Sequence, residues 1–392
     1  MNTPLVANPS QSPTDCLSFK WRELPAIPPN QRCWSPAIPV GAPEWHQIGL
    51  GGAISGVHND WLLVGGGANF PEPGLTVTRP NNLGKVYWDE AFALNLTSNV
   101  WSAKPMKLPK ALAYAATISL PEGVLVLGGE GFESANGSLC EKVQPSADVC
   151  LMRFDGHLET LSFQDYPSLP YAMSSPSACL LGRSVFLQNG QDVYSLNLDS
   201  IAEGWSRLGT CPGDARSAAL TSGVGDRFLI ASGRSLKPDA DVILRDAYAY
   251  EPKTRAWTVL PDMPLGAMAG MAFAVQGRFF VVVGGDGNEA RAREYRRLDA
   301  ERKLAQEGSA GWVHANTAMT FLHDHHTGFN QQIQVFDGLT GTWSQCGFLP
   351  SAAPVTSQPV QWRDELLLVS GEVSPGKRTP KIWAGKPQLC SK

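Results

Sequence analysis

The chain has 392 residues, of which 43% are apolar and 17% charged, and a formal net charge of −4. That balance suits a large folded core, and it lacks the clustered positive charge that nucleic acid binding demands. No apolar run reaches the length of a membrane span, so neither nucleic acid nor membrane is expected as a partner.

Residues 1–18 contain no basic segment followed by an apolar one and read as a loose leader. The expected location is the cytoplasm, or the periplasm if a signal peptide has been removed. Eight cysteines are scattered without a CxxC pair, in spacings of neither a zinc site nor a small disulfide framework. No metal and no cofactor are expected. Cys140 and Cys150 are the pair that an oxidising compartment would join.

From residue 19 to residue 386 the chain repeats itself. WRELPAIPP, from Trp21, reads as an outer strand with no inner strands before it. Then apolar runs end one after another in small residues: LLVGGG (62–67), VLVLGGE (124–130), VFLQNGQ (185–191), FLIASGR (228–234), VVVGGD (281–286) and LLLVSGE (366–372). They are too short for ordinary helices and rich in Val and Leu, as buried strands are. Turns follow five of them: LNLTSNVW, FDGHLETL, LNLDSIAEGW, YEPKTRAW and FDGLTGTW. In four of the five the closing residue stands seven positions after the opening one. Each unit predicts a small antiparallel sheet that cannot bury both faces alone, which a closed ring solves. Six runs predict six blades of an all-β propeller. The last blade has segments for three strands (357–362, 366–371, 380–384), and WRELPAIPP is expected to supply the fourth. The insertion at 287–328 interrupts blade five. Its first part favours helix, with Tyr295, Leu298 and Leu304 as anchors, and it also carries HDHH (323–326). Residues 387–392 read as a tail.

The glycine-ended runs and turn-to-tryptophan spacing resemble a Kelch-type propeller. SGEVSPGKRT (370–379) resembles the G-E-x-x-P-G-x-R-T motif of the sialic acid mutarotases, also named N-acetylneuraminate epimerases. That motif is interior in the family and in the last blade here, so the chain resembles the family's cyclically permuted branch. VGGGANFPEP (64–73), KVYWDEAFALNL (85–96) and GFNQQIQVFDGLTGTW (328–343) agree. The resemblance implies an isomerase that interconverts anomers of N-acetylneuraminate or a related sugar acid, with that small molecule as its partner.

Mutarotation opens a cyclic hemiketal and recloses it on the other face, which needs a proton acceptor and a proton donor. Glu372 is assigned as general base, on the family motif and on its place at a strand exit. Arg378 is assigned to the substrate carboxylate or developing oxyanion, because a guanidinium grips a carboxylate with paired hydrogen bonds. Exits from other blades offer Asn69, Glu130, Gln191, Arg234 and Asp286, and Arg245 is placed like Arg378 within its own blade. Asn69, Glu130, Arg234, Arg245 and Asp286 are therefore the expected substrate-binding residues. The bland alternative for Glu372 and Arg378 is a solvated surface ion pair. The alternative for the whole chain is a non-catalytic propeller that binds a protein or a carbohydrate.

Overall fold

Alternation along the second strands organises the molecule. In Trp61–Gly65, Leu62 and Val64 point into one apolar cluster and Leu63 into another. In Gly123–Leu127, Val124 and Val126 join the cluster shared with the preceding sheet, and Leu125 and Leu127 the one shared with the next. Successive side chains of a strand face opposite ways, so a strand covered on both faces must be apolar at every position. That is why these segments read as unbroken runs.

The structure, a computed structural model, describes residues 15–29, 48–70, 85–135 and 138–391. It is a six-bladed β-propeller of antiparallel sheets. Blade 1 runs outward from Ile54–His58 through Trp61–Gly65 and Glu90–Asn95 to Val100–Trp101, and Met106–Lys107 adds to its third strand. Blades 2 to 5 begin at Ala116–Leu120, Ser177–Leu181, Leu220–Val224 and Met271–Val275 and repeat the order in to out. Six apolar clusters fill the six gaps between neighbouring blades, including the gap between blades 6 and 1. The tryptophans that close the turns fasten these gaps. Trp205 Nε1 donates to the Pro167 carbonyl and Trp343 Nε1 to the Pro261 carbonyl.

Blade 6 consists of Val360–Trp362, Glu365–Val369 and Ile382–Ser391, with Asp15–Leu24 as its outermost strand. The last two pair antiparallel along their whole length, from Asp15 opposite Ser391 to Leu24 opposite Ile382. This corrects both expected boundaries, since residues 15–18 are strand rather than leader and residues 387–391 are strand rather than tail. Leu17, Phe19 and Trp21 pack in the cluster between blades 5 and 6, and this apolar alternation draws the strand past the expected limits.

The insertion forms α1 (Glu289–Leu304) and α2 (Ala310–Asp324). Asn288 and Ser309 cap them by accepting from the backbone N–H groups of Arg291 and Trp312. α1 lies on blade 4: Arg296 donates to the carbonyls of Ser235, Lys237, Pro238 and Ala240, and Glu289 accepts from the N–H groups of Val242 and Ile243. Leu298 is buried, and Tyr295 stacks on His323 at 5.1 Å. Leu304 is no anchor: it is 89% exposed. Among the described residues no helix is long and apolar enough to cross a membrane.

Candidate active site

Six residues in the left-handed backbone region stand one per blade just before the innermost strands: Gly52, Tyr114, Ser175, Ala218, Ala269 and Thr356. Peptide hydrogen bonds join five of the six neighbouring pairs, all but Ser175 and Ala218. Tyr114 N–H donates to Gly52 O (2.8 Å), Ser175 to Tyr114 O (3.0 Å), Ala269 to Ala218 O (3.1 Å), Thr356 to Ala269 O (2.9 Å) and Gly52 to Thr356 O (2.7 Å). This backbone ring is the floor of the mouth. Behind it lies a cavity of about 110 Å³ bordered by the ring itself and the first residues of the inner strands.

The strand exits stand around this floor. After the positive-φ pair Ser370–Gly371 the chain leaves blade 6, and Glu372 pairs in register with Arg378 across a short ribbon. The Arg378 side chain is only 3% exposed. Its Nη2 contacts Glu372 Oε2 at 2.7 Å, and its guanidinium lies 4.7 Å from the centroid of the Phe70 ring. Glu372 Oε1 accepts from Gly376 N–H at 3.1 Å. Arg378 Nε and Nη1 are buried and have no hydrogen-bond partner among the described residues. Buried donors are seldom left unmade without a reason. The guanidinium thus has one nitrogen held by a carboxylate and two without a partner among the described residues.

The wall from blades 1 and 2 carries a second charged group. Glu130 accepts from Tyr87 Oη and from Ser174 Oγ, both at 2.6 Å, and Lys85 Nζ lies 3.5 Å from its Oε1. The Lys85 ammonium also sits 5.0 Å from the centroid of the Tyr87 ring and 4.3 Å from that of Tyr114. Burial first, and then the Glu130 carboxylate, push the Tyr87 phenol far above its ordinary pKa, so it stays a hydrogen-bond donor. The Arg378 charge acts the opposite way on the same phenol.

Glu372 and Arg378 face each other across their ribbon, and Glu130 stands at the equivalent exit of blade 2, while the other expected residues make contacts of their own. In blade 1 the residue in register with Glu372 is Ala68, not Asn69: Gly51 bridges to Ala68 as Val355 bridges to Glu372. A shift of one residue turns a strand side chain to the opposite face. Asn69 is buried accordingly, donating to Gly49 O and accepting from Trp88 Nε1, both at 3.0 Å. Arg245 does not match Arg378 either, because the partner of Arg234 is Ile243. Arg245 Nε donates instead to the Met263 carbonyl at 2.8 Å. Asp286 is at the exit of blade 5 but accepts from Arg291 Nη2 at 2.8 Å and from Asn288 N–H at 3.0 Å, at the start of α1. Arg234 is exposed in the blade 4 ribbon, and its charge is felt by Tyr295, whose phenol burial pushes up to about 12. Gln191 is exposed and donates to Gly213 O at 2.7 Å.

Two residues of the site escaped the sequence reading. Tyr87 stands opposite Ala68 as Arg378 stands opposite Glu372, and Lys85 precedes it by two. The signal was the KVYW segment just ahead of the third strand of blade 1, where KRTPKIW stands in blade 6. His323 and His326 serve α2, the first stacked on Tyr295 and the second packed edge-on to Phe329. Among the described residues no group of three or more His, Cys, Asp or Glu side chains is placed to hold a metal ion.

Comparison with known proteins converges on one family. The N-acetylneuraminate epimerase family model matches residues 166–389. An N-acetylneuraminate epimerase of Yersinia enterocolitica is 25% identical over 57% of this chain and 58% of its own length. One of Brucella melitensis is 26% identical over 56% and 58%, and one of Haemophilus influenzae 22% identical over 61% and 64%. The chain therefore spans less than two thirds of the length of these relatives. The solved structure of YjhT superposes with a TM-score of 0.59 at 14% identity, covering 88% of this chain and 98% of that one. That likeness shows the shared propeller fold. On the family match, which takes in Glu372 and Arg378, this chain belongs to the N-acetylneuraminate epimerase family.

Proposed function

We propose that the chain is a mutarotase for N-acetylneuraminate or a closely related 2-keto sugar acid. The observation that carries this reading is Arg378, nearly buried, with Nε and Nη1 unpaired directly beside the Glu372 carboxylate. A 2-keto sugar acid presents its carboxylate on the anomeric carbon, so a cation that grips the carboxylate also places the anomeric hydroxyl. Glu372 Oε2, on the neighbouring nitrogen of the same guanidinium, is then the base within reach. Glu130 is tied by two hydroxyl donors and suits a supporting role, orienting Tyr87 and Lys85.

Glu372 accepts the anomeric hydroxyl proton while the bond between anomeric carbon and ring oxygen breaks. The ring oxygen takes a proton from the Lys85 ammonium, leaving an open-chain ketone. Rotation about the bond to the carbonyl carbon presents the other face. Reclosure returns both protons to their donors, so atoms and charge balance without any other reactant. Positioned proton transfer of this type contributes about 10²–10⁴-fold.

The test is proton NMR of freshly dissolved crystalline N-acetylneuraminate, following exchange between anomers with and without the protein. Exchange faster than the spontaneous rate is expected. A time course identical to buffer alone defeats the reading.

A further inference from the structure

Thr356 carries two unfavourable features at once. It lies in the left-handed region at φ 58°, where a β-branched residue is a genuine outlier. Its Oγ1 is also buried and without a hydrogen-bond partner among the described residues. Glycine would meet the backbone demand without strain, as Gly52 does at the same place in blade 1. The backbone is fixed on both sides, since Thr356 N–H donates to Ala269 O and its carbonyl accepts from Gly52 N–H. Strain of this type persists only where the surroundings impose it, and it gathers at functional sites.

The unpaired hydroxyl and the unpaired guanidinium both border Gly51. A methyl group added to Gly51 would lie 3.2 Å from Arg378 Nε, 3.3 Å from Thr356 Oγ1 and 3.4 Å from Arg378 Nη2. Nε and Oγ1 are thus within 6.5 Å of each other across the bare Gly51 backbone. One carboxylate accepting at about 2.8 Å from each donor can bridge separations up to that limit.

We propose that Thr356 is a specificity residue of this site, donating its hydroxyl to the same substrate carboxylate that Arg378 grips. The inference rests on the sugar-acid reading above and explains how the mouth would reject neutral sugars. A sugar without the carboxylate leaves the Arg378 Nε and Thr356 hydroxyl donors unmade, and sites built on buried polar groups discriminate strongly for that reason.

The test uses the methyl glycoside of N-acetylneuraminate, which cannot open, and the same glycoside as its carboxyl methyl ester. Binding is measured by titration calorimetry and anomer exchange by NMR. Thr356→Val, close in shape and still β-branched, is expected to weaken acid binding about tenfold, to narrow the preference for acid over ester, and to raise KM more than it lowers kcat. Thr356→Ser is expected to stay within about twofold of the parent chain because it keeps the hydroxyl. Thr356→Ala repeats the hydroxyl loss if the valine chain does not fold. Acid binding unchanged in the variants without the hydroxyl overturns the role of Thr356, and so does a serine chain as weak as the valine one. A parent chain that neither binds the glycoside nor accelerates exchange overturns the sugar-acid reading and this inference together.

A separate observation carries a second inference. Cys16 and Cys390 are register partners in the strand pair that closes blade 6, with Sγ atoms 2.8 Å apart and 374 positions between them in sequence. Directly opposed strand residues have Cα separations of about 4.5–5.5 Å, inside the range a disulfide requires. We propose that these thiols form a disulfide clasp under oxidising conditions. A small disulfide such as oxidised glutathione exchanges with one thiolate and is displaced by the other, so two thiols become one disulfide and two glutathiones are released. Burial pushes the Cys150 thiol up to about 11 and Cys211 to about 12, which leaves them poor competitors. Treatment of the full chain with oxidised glutathione is expected to remove two hydrogens in mass, to link the peptides holding Cys16 and Cys390, and to raise Tm on the order of 5 °C. The Cys16→Ser chain should show none of the three. A linkage between other cysteines, or no mass change, overturns the clasp.

Discussion

Replacing Glu372 with glutamine separates the chemistry of the site from its architecture. Glutamine matches the shape, and its amide oxygen can still accept from Arg378 Nη2, which Glu372 Oε2 meets at 2.7 Å. What disappears is the proton acceptor and its negative charge. Loss of a positioned base lowers the rate about 10²–10⁴-fold, which is about 2.7–5.5 kcal/mol of barrier. A second effect runs the other way. Arg378 is 3% exposed, and removing one partner of a buried ion pair costs up to about 3–5 kcal/mol when nothing replaces it. A bound carboxylate supplies the missing charge, so part of that cost is recovered on binding. Glu372→Gln is therefore expected to lower kcat by orders of magnitude while KM stays level or falls. NMR anomer exchange at several sugar concentrations reads both constants, and calorimetry with the methyl glycoside reads affinity alone. An unchanged kcat with a raised KM would refute the reasoning, because it would make Glu372 a binding group and place the base elsewhere.

Three further outcomes follow from groups outside the reacting centre. Asp246 receives both terminal nitrogens of the fully buried Arg216 at 2.7 Å, so Asp246→Asn should cost roughly 3–5 kcal/mol in urea unfolding, and a midpoint like the parent's would show the pair is dispensable. Burial raises the Asp337 pKa, but the two bonds from Arg278 and the Leu339 N–H outweigh it and hold the carboxyl below its ordinary 3.8. Its stabilising contribution is complete above that value and is lost as pH falls through the lower folded value, so Asp337→Asn should flatten the acid limb of stability against pH. Burial first, and then Arg291 and His323, hold the His326 imidazole at about 4 rather than 6.5. Below 6.5 the unfolded segment takes a proton that the folded one refuses until about 4, so the insertion should loosen across that window. Limited proteolysis of residues 287–328 against pH, in the parent and in His326→Gln, reads this, and equal cleavage at pH 7 and pH 5 would count against it.

The propeller was legible because its second strands are covered on both faces. That burial writes Phe279–Val283 as five apolar residues in a row and ends it at the positive-φ pair Gly284–Gly285. Outer strands are less legible because solvent reaches much of them, as in Ala256–Leu260 and Thr342–Phe348, which contain no buried residue. The positions of Glu372 and Glu130 at strand exits were readable for the same reason as the strands, since each follows its glycine directly. Asn69 was misplaced because blade 1 has three successive glycines, Gly65 to Gly67, and the exit position falls one residue earlier than the first polar side chain. Arg245 was misplaced because the loop after Arg234 is longer than the one after Glu372, which breaks the analogy between blades. The ring at the floor of the mouth was invisible. Its members are Gly, Tyr, Ser, Ala, Ala and Thr, and what they share is a backbone conformation rather than a side chain.

The pairing of Asp15–Leu24 with Ile382–Ser391 also has a consequence for how the molecule is made. Blades 1 to 5 are local meanders, which close short loops and can form as the chain emerges from the ribosome. The outer half of blade 6 spans nearly the whole sequence and must come last by the same logic of loop closure. Glu372 and Arg378 belong to that blade. Until the amino-terminal strand docks, Ile382–Ser391 is an open sheet edge, ten residues long and able to recruit a strand from another chain. The seam that completes the blade carrying Glu372 and Arg378 is therefore also the place where a nascent or damaged chain would aggregate.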